Sequence, residues 1–157
     1  MITVRRIDGD EWKLGRELRL ATLTDSPEAF KSKAEVAATW SSDQWREWIG
    51  DRAYFVAELD GTAVGAAAGS IDDDGAPVLV SVWVAPTARG TGASAAVVRA
   101  VVAWARAERH AALRLWVMDG NARAESLYLR LGFRRTGQEL PCPGDDPRIE
   151  VEMSMAL

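Results

Sequence analysis

A run of seven residues in the middle of the chain, positions 78–84, constrains the fold more than any other feature. It reads Val-Leu-Val-Ser-Val-Trp-Val and is followed closely by Pro86. A nearly uninterrupted apolar, β-branched run of this length predicts a strand buried on both faces, which is the central strand of a sheet. A glycine-rich stretch follows at 89–94. Apolar residues at helical spacing over 97–105 then predict an amphipathic helix.

The other periodic segments alternate between strands and helices. Ser41 and Gln44 have the spacing of a capping box, and Asp60-Gly61 is a hairpin turn signal. Predicted strands lie at 3–6, 54–59, 63–70, 113–117, 133–138 and 149–155, and predicted helices open near Asp8 or Asp10, at Ser26-Pro27, at 41–49 and at 121–131. This order predicts a mixed α/β sheet with helices on both faces.

Size and composition indicate one soluble domain. The chain has 157 residues, of which 48% are hydrophobic and 27% charged. The longest uncharged stretch, 75–88, is too short for a membrane span, and arginines at 5 and 6 interrupt any signal peptide, so we expect a cytoplasmic protein. A single cysteine, Cys142, and a single histidine, His110, argue against a disulfide framework and a multi-histidine metal site. We expect no bound metal.

Charge is unevenly distributed along the chain. The net charge is −4, which argues against a general nucleic-acid binder. Residues 1–74 carry −6 and residues 75–157 carry +2, with nine arginines between positions 89 and 135. These arginines fit either an anionic ligand or ordinary solvated helix faces.

The glycine-rich stretch after the central strand predicts a phosphate site, because small residues and helix N-terminal N–H groups suit an anion. A P-loop needs a terminal lysine, and no lysine follows Lys33. A dinucleotide fingerprint needs a third glycine where Ala95 stands.

The stretch Arg89-x-x-Gly92-x-Ser94 resembles the acyl-CoA pyrophosphate loop of the GCN5-related N-acetyltransferases (GNAT), with Ser94 in place of the usual Gly or Ala. The segment from Asn121 to Phe133 is similar to the same family's second CoA-binding motif, Asn-x-x-Ala-x-x-Leu-Tyr-x-x-x-Gly-Phe. The segment from Arg19 to Phe30 is also similar to the first helical pair of many bacterial members. The resemblance covers essentially the full length.

This resemblance implies a GNAT-type, mostly antiparallel sheet of about seven strands and a single N-acetyltransferase domain over 1–157. It implies transfer of an acetyl group from acetyl-CoA to a primary amine by direct attack. Tyr128 would protonate the departing thiolate, and a bulge or splay near Val84 would free an N–H to polarise the thioester. The implied cofactor-binding residues are Val82, Trp83, Val84, Arg89, Gly90, Thr91, Gly92, Ala93, Ser94, Asn121, Ala124 and Tyr128.

The general base and the acceptor stay open in the sequence. Members of the family often have a glutamate on the central strand or on the strand before the Asn motif, but here neither the central strand nor 115–117 carries a carboxylate. The base is therefore either bulk water or a water chain to a more distant Asp119, Glu150 or Glu152, although the two glutamates also fit a solvent-exposed face of the last strand. Acidic loops at 72–74 and at Asp145-Asp146 suggest a cationic amine or simply solubility. A homodimer is compatible with the sequence. A CoA-binding sensor without turnover and an interaction protein on the same fold are the alternatives.

Overall fold

The structure is a computed structural model that describes residues 1–25, 34–142, 144 and 146–157. The described residues form one seven-stranded sheet in the order β1-β2-β3-β4-β5-β7-β6. All neighbouring strands are antiparallel except β4 and β5, which are parallel. The strands are β1 (Ile2–Ile7), β2 (Ala53–Leu59), β3 (Thr62–Ile71), β4 (Pro77–Val84), β5 (Ala112–Met118), β6 (Arg134–Pro141) and β7 (Ile149–Ala156).

Within the described residues, five α-helices connect and cover the strands: α1 (Trp12–Asp25), α2 (Ala34–Ala37), α3 (Ser42–Gly50), α4 (Ala93–Ala107) and α5 (Ala122–Leu131). The predicted capping box is present at the start of α3, where the Ser41 and Gln44 side chains each accept a backbone N–H of the other residue. The predicted helix start at Ser26-Pro27 lies outside the described residues. The predicted mixed sheet with helices on both faces is confirmed.

The core consists of layers on the two faces of the sheet. On one face α4 buries Val97, Val98 and Val101 completely against the strands, as its apolar spacing predicts. On the other face a smaller cluster includes Leu18 of α1 and Ile49 of α3. These layers fix the sheet from β1 to β5, and β6, at the edge, is exposed along its whole length.

Strands β4 and β5 separate soon after they begin to pair. Their ladder consists of two pairs, Val78 with Arg114 and Leu79 with Leu115. Opposite β3, the register of β4 shifts by one residue at Ser81–Val82, and Ser81 has φ of 58°. The register shift marks a β-bulge, which bends β4 away from its neighbour.

The splay expected near Val84 is present, since β4 has no ladder pair with β5 beyond Leu79, and the bulge lies two residues before Val84, at Ser81–Val82. One expectation for the central strand needs correction. The strand is not buried along its whole length: residues 77–79 are buried, whereas residues 80–83 are partly exposed. The separation of the two strands opens the sheet at this point.

Candidate active site

The glycine-rich loop leads from the open end of β4 into α4. Gly90 and Gly92 have φ of 83° and 88°, which glycine adopts without strain. Gly92 is the N-cap of α4 and has no side chain to cap it. A Cβ placed on either glycine would meet no atom within 4 Å. The space in front of the helix start is therefore open, and backbone N–H groups can reach a ligand there.

Two cavities meet at the opening between β4 and β5. We call the larger, of about 690 Å³, the loop-side cavity. The smaller, of about 470 Å³, is the strand-side cavity. The two share four lining residues: Val82, Asn121, Ala124 and Tyr128. The two cavities therefore adjoin at these four residues, which we call the shared wall, and molecules bound in the two cavities can contact each other there.

The loop-side cavity gathers most of the residues that the two sequence motifs singled out. Thr91 and Ala93 do not line it: the Thr91 hydroxyl donates to the Ala88 carbonyl, and Ala93 is buried in the core. The predicted residues that do line it are Val82, Trp83, Val84, Arg89, Gly90, Gly92, Ser94, Asn121, Ala124 and Tyr128. The sequence did not predict five further lining residues: Asp25, Ala95, Arg123, Leu127 and Arg130. Arg123 and Arg130 do belong to the nine arginines between positions 89 and 135.

Tyr128 occupies the shared wall from the middle of α5. The residue is 8% exposed, and its ring packs edge-on against Phe133 with centroids 5.9 Å apart. Burial raises the pKa of the Tyr128 hydroxyl above its ordinary value. Tyr128 therefore stays protonated at neutral pH and can donate a proton to either cavity.

Asn121 positions the helix that carries Tyr128. Its side-chain oxygen accepts the Ala124 N–H at 3.3 Å and so caps the start of α5. Gly132, with φ of 109°, ends the same helix. Two residues of the Asn-x-x-Ala-x-x-Leu-Tyr-x-x-x-Gly-Phe pattern thus define where the helix begins and ends.

Arg89 makes a contact that sequence reasoning did not anticipate. Its guanidinium donates to the Asp25 carboxylate at 2.8 Å, and the Trp83 indole N–H donates to the same oxygen at 2.9 Å. Asp25 is the last residue of α1, so this contact joins the first helix to the glycine-rich loop. The Arg89 guanidinium, which the loop motif predicts to contact an anionic ligand, is thus paired with the Asp25 carboxylate.

The strand-side cavity holds one of the three carboxylates considered as the general base. Glu150 lines it and is 8% exposed, so the expectation of a solvent-exposed face is wrong for this residue, because the neighbouring strands bury it. Glu152 accepts from the Thr136 hydroxyl at 2.7 Å. Asp119 is exposed and pairs with Arg135 at 3.2 Å.

Three carboxylates of the acidic loops form ion pairs with arginines. Asp72 and Asp74 lie 2.6 Å and 2.9 Å from Arg114. Asp146 lies 2.6 Å from Arg148, and hydrogen bonds from that residue lower the pKa of Asp146 to about 2. Asp145 lies outside the described residues. These pairs reduce the acidic field from which a cationic acceptor was expected, and that expectation stays a prediction.

The cysteine and the histidine lie outside the lining of both cavities. The Cys142 thiol is buried and contacts the Met118 sulfur at 3.2 Å. His110 packs near Trp104, with ring centroids 6.1 Å apart. Of the helices that the structure describes, none is both long enough and apolar enough to span a bilayer.

Comparison with known proteins finds relatives in sequence and solved structures with the same fold. An uncharacterised N-acetyltransferase from Mycobacterium tuberculosis is 37% identical over 106 residues, which cover 65% of this chain and 67% of that protein. A GNAT-family acetyltransferase from Streptococcus pneumoniae has the same fold, with a TM-score of 0.81, 16% identity and 100% of both chains covered. A protein from Salmonella typhimurium, solved with its cofactor acetyl-CoA, has a TM-score of 0.79 at 20% identity, with 100% of this chain and 94% of that chain covered.

A model of one protein family also matches this sequence. This model covers both motifs, the bulged strand and the second half of the helix that ends in Asp25. It matches residues 19–133, well over half of the chain. The chain belongs to the acetyltransferase (GNAT) family.

Proposed function

We propose that this protein transfers an acetyl group from acetyl-CoA to the primary amine of a small molecule or peptide. The observation that carries the proposal is the opening between β4 and β5, where two cavities share a wall that contains Tyr128. Such an arrangement holds two substrates in contact while separate elements of the chain recognise each of them.

The loop-side cavity fits acetyl-CoA, which supplies the acetyl thioester when bound. The N-terminus of α4 lies behind Gly92, and Arg89, Arg123 and Arg130 lie around the cavity. Helix N-terminal N–H groups and arginines both favour the pyrophosphate, a dianion. Beyond Leu79, β4 has no ladder pair with β5, so its edge can pair with the amide groups of the pantetheine arm.

Three groups of this chain would act on the reacting atoms. A β4 backbone N–H near the bulge polarises the thioester carbonyl. Glu150, directly or through water, takes a proton from the amine, whose pKa of about 10.4 for a lysine-like group keeps it protonated at neutral pH. The amine nitrogen bonds to the carbonyl carbon, the C–S bond breaks, and Tyr128 gives its proton to the departing thiolate.

Two other functions on the same fold are distinguishable from this one. A sensor binds acetyl-CoA but releases no CoA thiol with any amine. An interaction protein that has kept only the fold binds neither. The buried, protonated Tyr128 at the shared wall favours turnover over both, because neither binding nor scaffolding needs a proton donor there.

The deciding experiment combines calorimetric titration of acetyl-CoA with a thiol-release assay over a panel of amines. We expect binding, and thiol release that increases with at least one amine and yields its N-acetyl product. Binding without release from any amine would identify the sensor, and absence of binding by a folded protein would contradict the proposal.

A further inference from the structure

The strand-side cavity has a guanidinium on one side and a carboxylate on the other. Arg19 of α1 donates to the Ser81 hydroxyl at 3.2 Å, on the bulge of β4. Glu150 lies on β7, where it pairs across the ladder with Met118 of β5. Strand β5 runs between β4 and β7, so the two charges approach the cavity from different sides of it.

The surroundings of Arg19 suit the binding of an anion. The guanidinium lies over the Trp48 ring, 5.3 Å from its centroid, and Arg52 lies over the same ring at 4.5 Å. Burial lowers the pKa of Arg19, as expected when a cation is removed from water. A partly desolvated guanidinium binds a carboxylate more strongly than a solvated one, and its planar fork suits both carboxylate oxygens.

Arg19 reaches the strand-side cavity close to the wall that it shares with the loop-side cavity. Ser81, which Arg19 contacts, is the residue before Val82, and Val82 belongs to that wall. Adjacent residues of a strand are about 3.3 Å apart along the chain. A carboxylate bound by Arg19 and an amine that attacks at the shared wall can therefore belong to one small molecule.

Other lining residues describe the remainder of the acceptor. Val80, Trp116, Met118 and Leu140 line the same cavity and offer apolar surface. Asp72 also lines it, but its carboxylate lies 2.6 Å from the Arg114 guanidinium. The cavity of about 470 Å³ is in the range of small-molecule sites.

We infer that the acceptor is a free α-amino acid with an apolar side chain, whose carboxylate is bound by Arg19 and whose amine faces Glu150. This inference rests on the proposed acetyl transfer and names its substrate class. It differs from the cationic acceptor that the acidic loops suggest, and the two classes give opposite orders of preference.

The test compares each of L-methionine, L-leucine and L-phenylalanine with its own amide, and with putrescine as a cationic amine, in the thiol-release assay. The amides keep the amine and side chain but remove the anion, and they also represent a peptide N-terminus. We expect kcat/KM to be about 10-fold to 100-fold higher for the free amino acids, the usual effect of a charge-assisted contact. Amides or putrescine that match or exceed the amino acids would overturn the inference.

Variants of Arg19 identify the group responsible. Arg19→Gln should raise KM for the amino acids and leave KM for the amides unchanged, and Arg19→Lys should restore part of the difference. Arg52→Gln is the matched control, because Arg52 lies over the same Trp48 ring but does not line the cavity. An equal effect of Arg19→Gln on acids and amides would show a structural role and overturn the inference.

The same measurements separate failure of the inference from failure of the proposed function. Thiol release with amides or putrescine but not with amino acids keeps the proposed function and rejects the amino-acid acceptor. If no amine supports thiol release, calorimetric titration of L-methionine decides the inference alone: binding that Arg19→Gln weakens at least 10-fold supports it, and absence of binding rejects it.

Discussion

The loop-side and strand-side cavities meet at one wall, but they are built in opposite ways. The loop-side cavity is formed mainly by two short segments, the glycine-rich loop with its strand and the start of α5. The strand-side cavity takes residues from α1, α5, the strands β4 to β7 and the β3–β4 turn, spread from Arg19 to Glu150. A local motif can specify the first because neighbouring residues supply most of its contacts, whereas the second exists only when distant strands pair.

The largest effect is expected at the shared wall, where Tyr128 faces both cavities. Tyr128→Phe keeps the ring against Phe133 and removes the proton donor, so we expect kcat to fall by about 10²-fold to 10⁴-fold in steady-state kinetics. Tyr54→Phe, in a buried tyrosine that lines neither cavity, is the control and should leave kcat unchanged. Full kcat in a folded Tyr128→Phe protein would make Tyr128 a packing residue only.

The strand-side cavity is tested by Glu150→Gln. Loss of the proton acceptor should lower kcat/KM by about 10²-fold near neutral pH, and the deficit should shrink as pH rises and more of the amine is already deprotonated. A pH profile of kcat/KM measures both effects. Glu152→Gln, on the same strand, is the matched control. A deficit that is constant with pH would indicate that Glu150 only supports the structure.

The loop-side cavity is tested by Gly92→Val, which places a β-branched side chain in open space at the start of α4 and at a φ of 88°. Acetyl-CoA binding should weaken roughly 10-fold or more, since backbone N–H contacts to the pyrophosphate are lost. Gly75→Val is the matched control, because Gly75 has φ of 81° and equally open surroundings in the β3–β4 turn. Unchanged affinity in calorimetry would remove the loop from the cofactor site.

A smaller effect is expected where α1 reaches the loop-side cavity. Asp25→Asn keeps an acceptor for the Trp83 N–H but removes the anion paired with Arg89. Acetyl-CoA should then bind about two- to fivefold more tightly at low salt, the size of a partly exposed ion pair. Asp146→Asn, which breaks another ion pair away from both cavities, should change nothing. Weaker binding would instead mean that Asp25 holds Arg89 in its working position.

The smallest expected effect is on stability at alkaline pH, to which both buried tyrosines contribute. Burial raises the pKa of Tyr54 as it does that of Tyr128. Because the folded pKa lies above the unfolded value, the corresponding stability is complete below about pH 10 and is lost as pH rises beyond it. The thermal midpoint should fall in this range, and less so in Tyr54→Phe. An identical alkaline decline in that variant would show that Tyr54 does not contribute.

Much of the fold and of the loop-side cavity could be predicted because the signals are local. The capping box at Ser41, the turn at Asp60-Gly61 and the apolar spacing of α4 each depend on residues within a few positions of one another. The same holds for Asn121 and Gly132, which cap the helix that carries Tyr128. The sequence by itself also placed the glycine-rich loop directly after a central strand.

Tertiary structure alone decided the remainder. The bulge at Ser81–Val82 depends on where the β4–β5 ladder ends, and Glu150 is buried only because β7 lies between β5 and β6. Asp25 meets Arg89 across 64 positions of sequence, and Arg19 meets Ser81 across 62. No local pattern encodes such contacts, because their free energy comes from side chains that the sheet brings together only after folding.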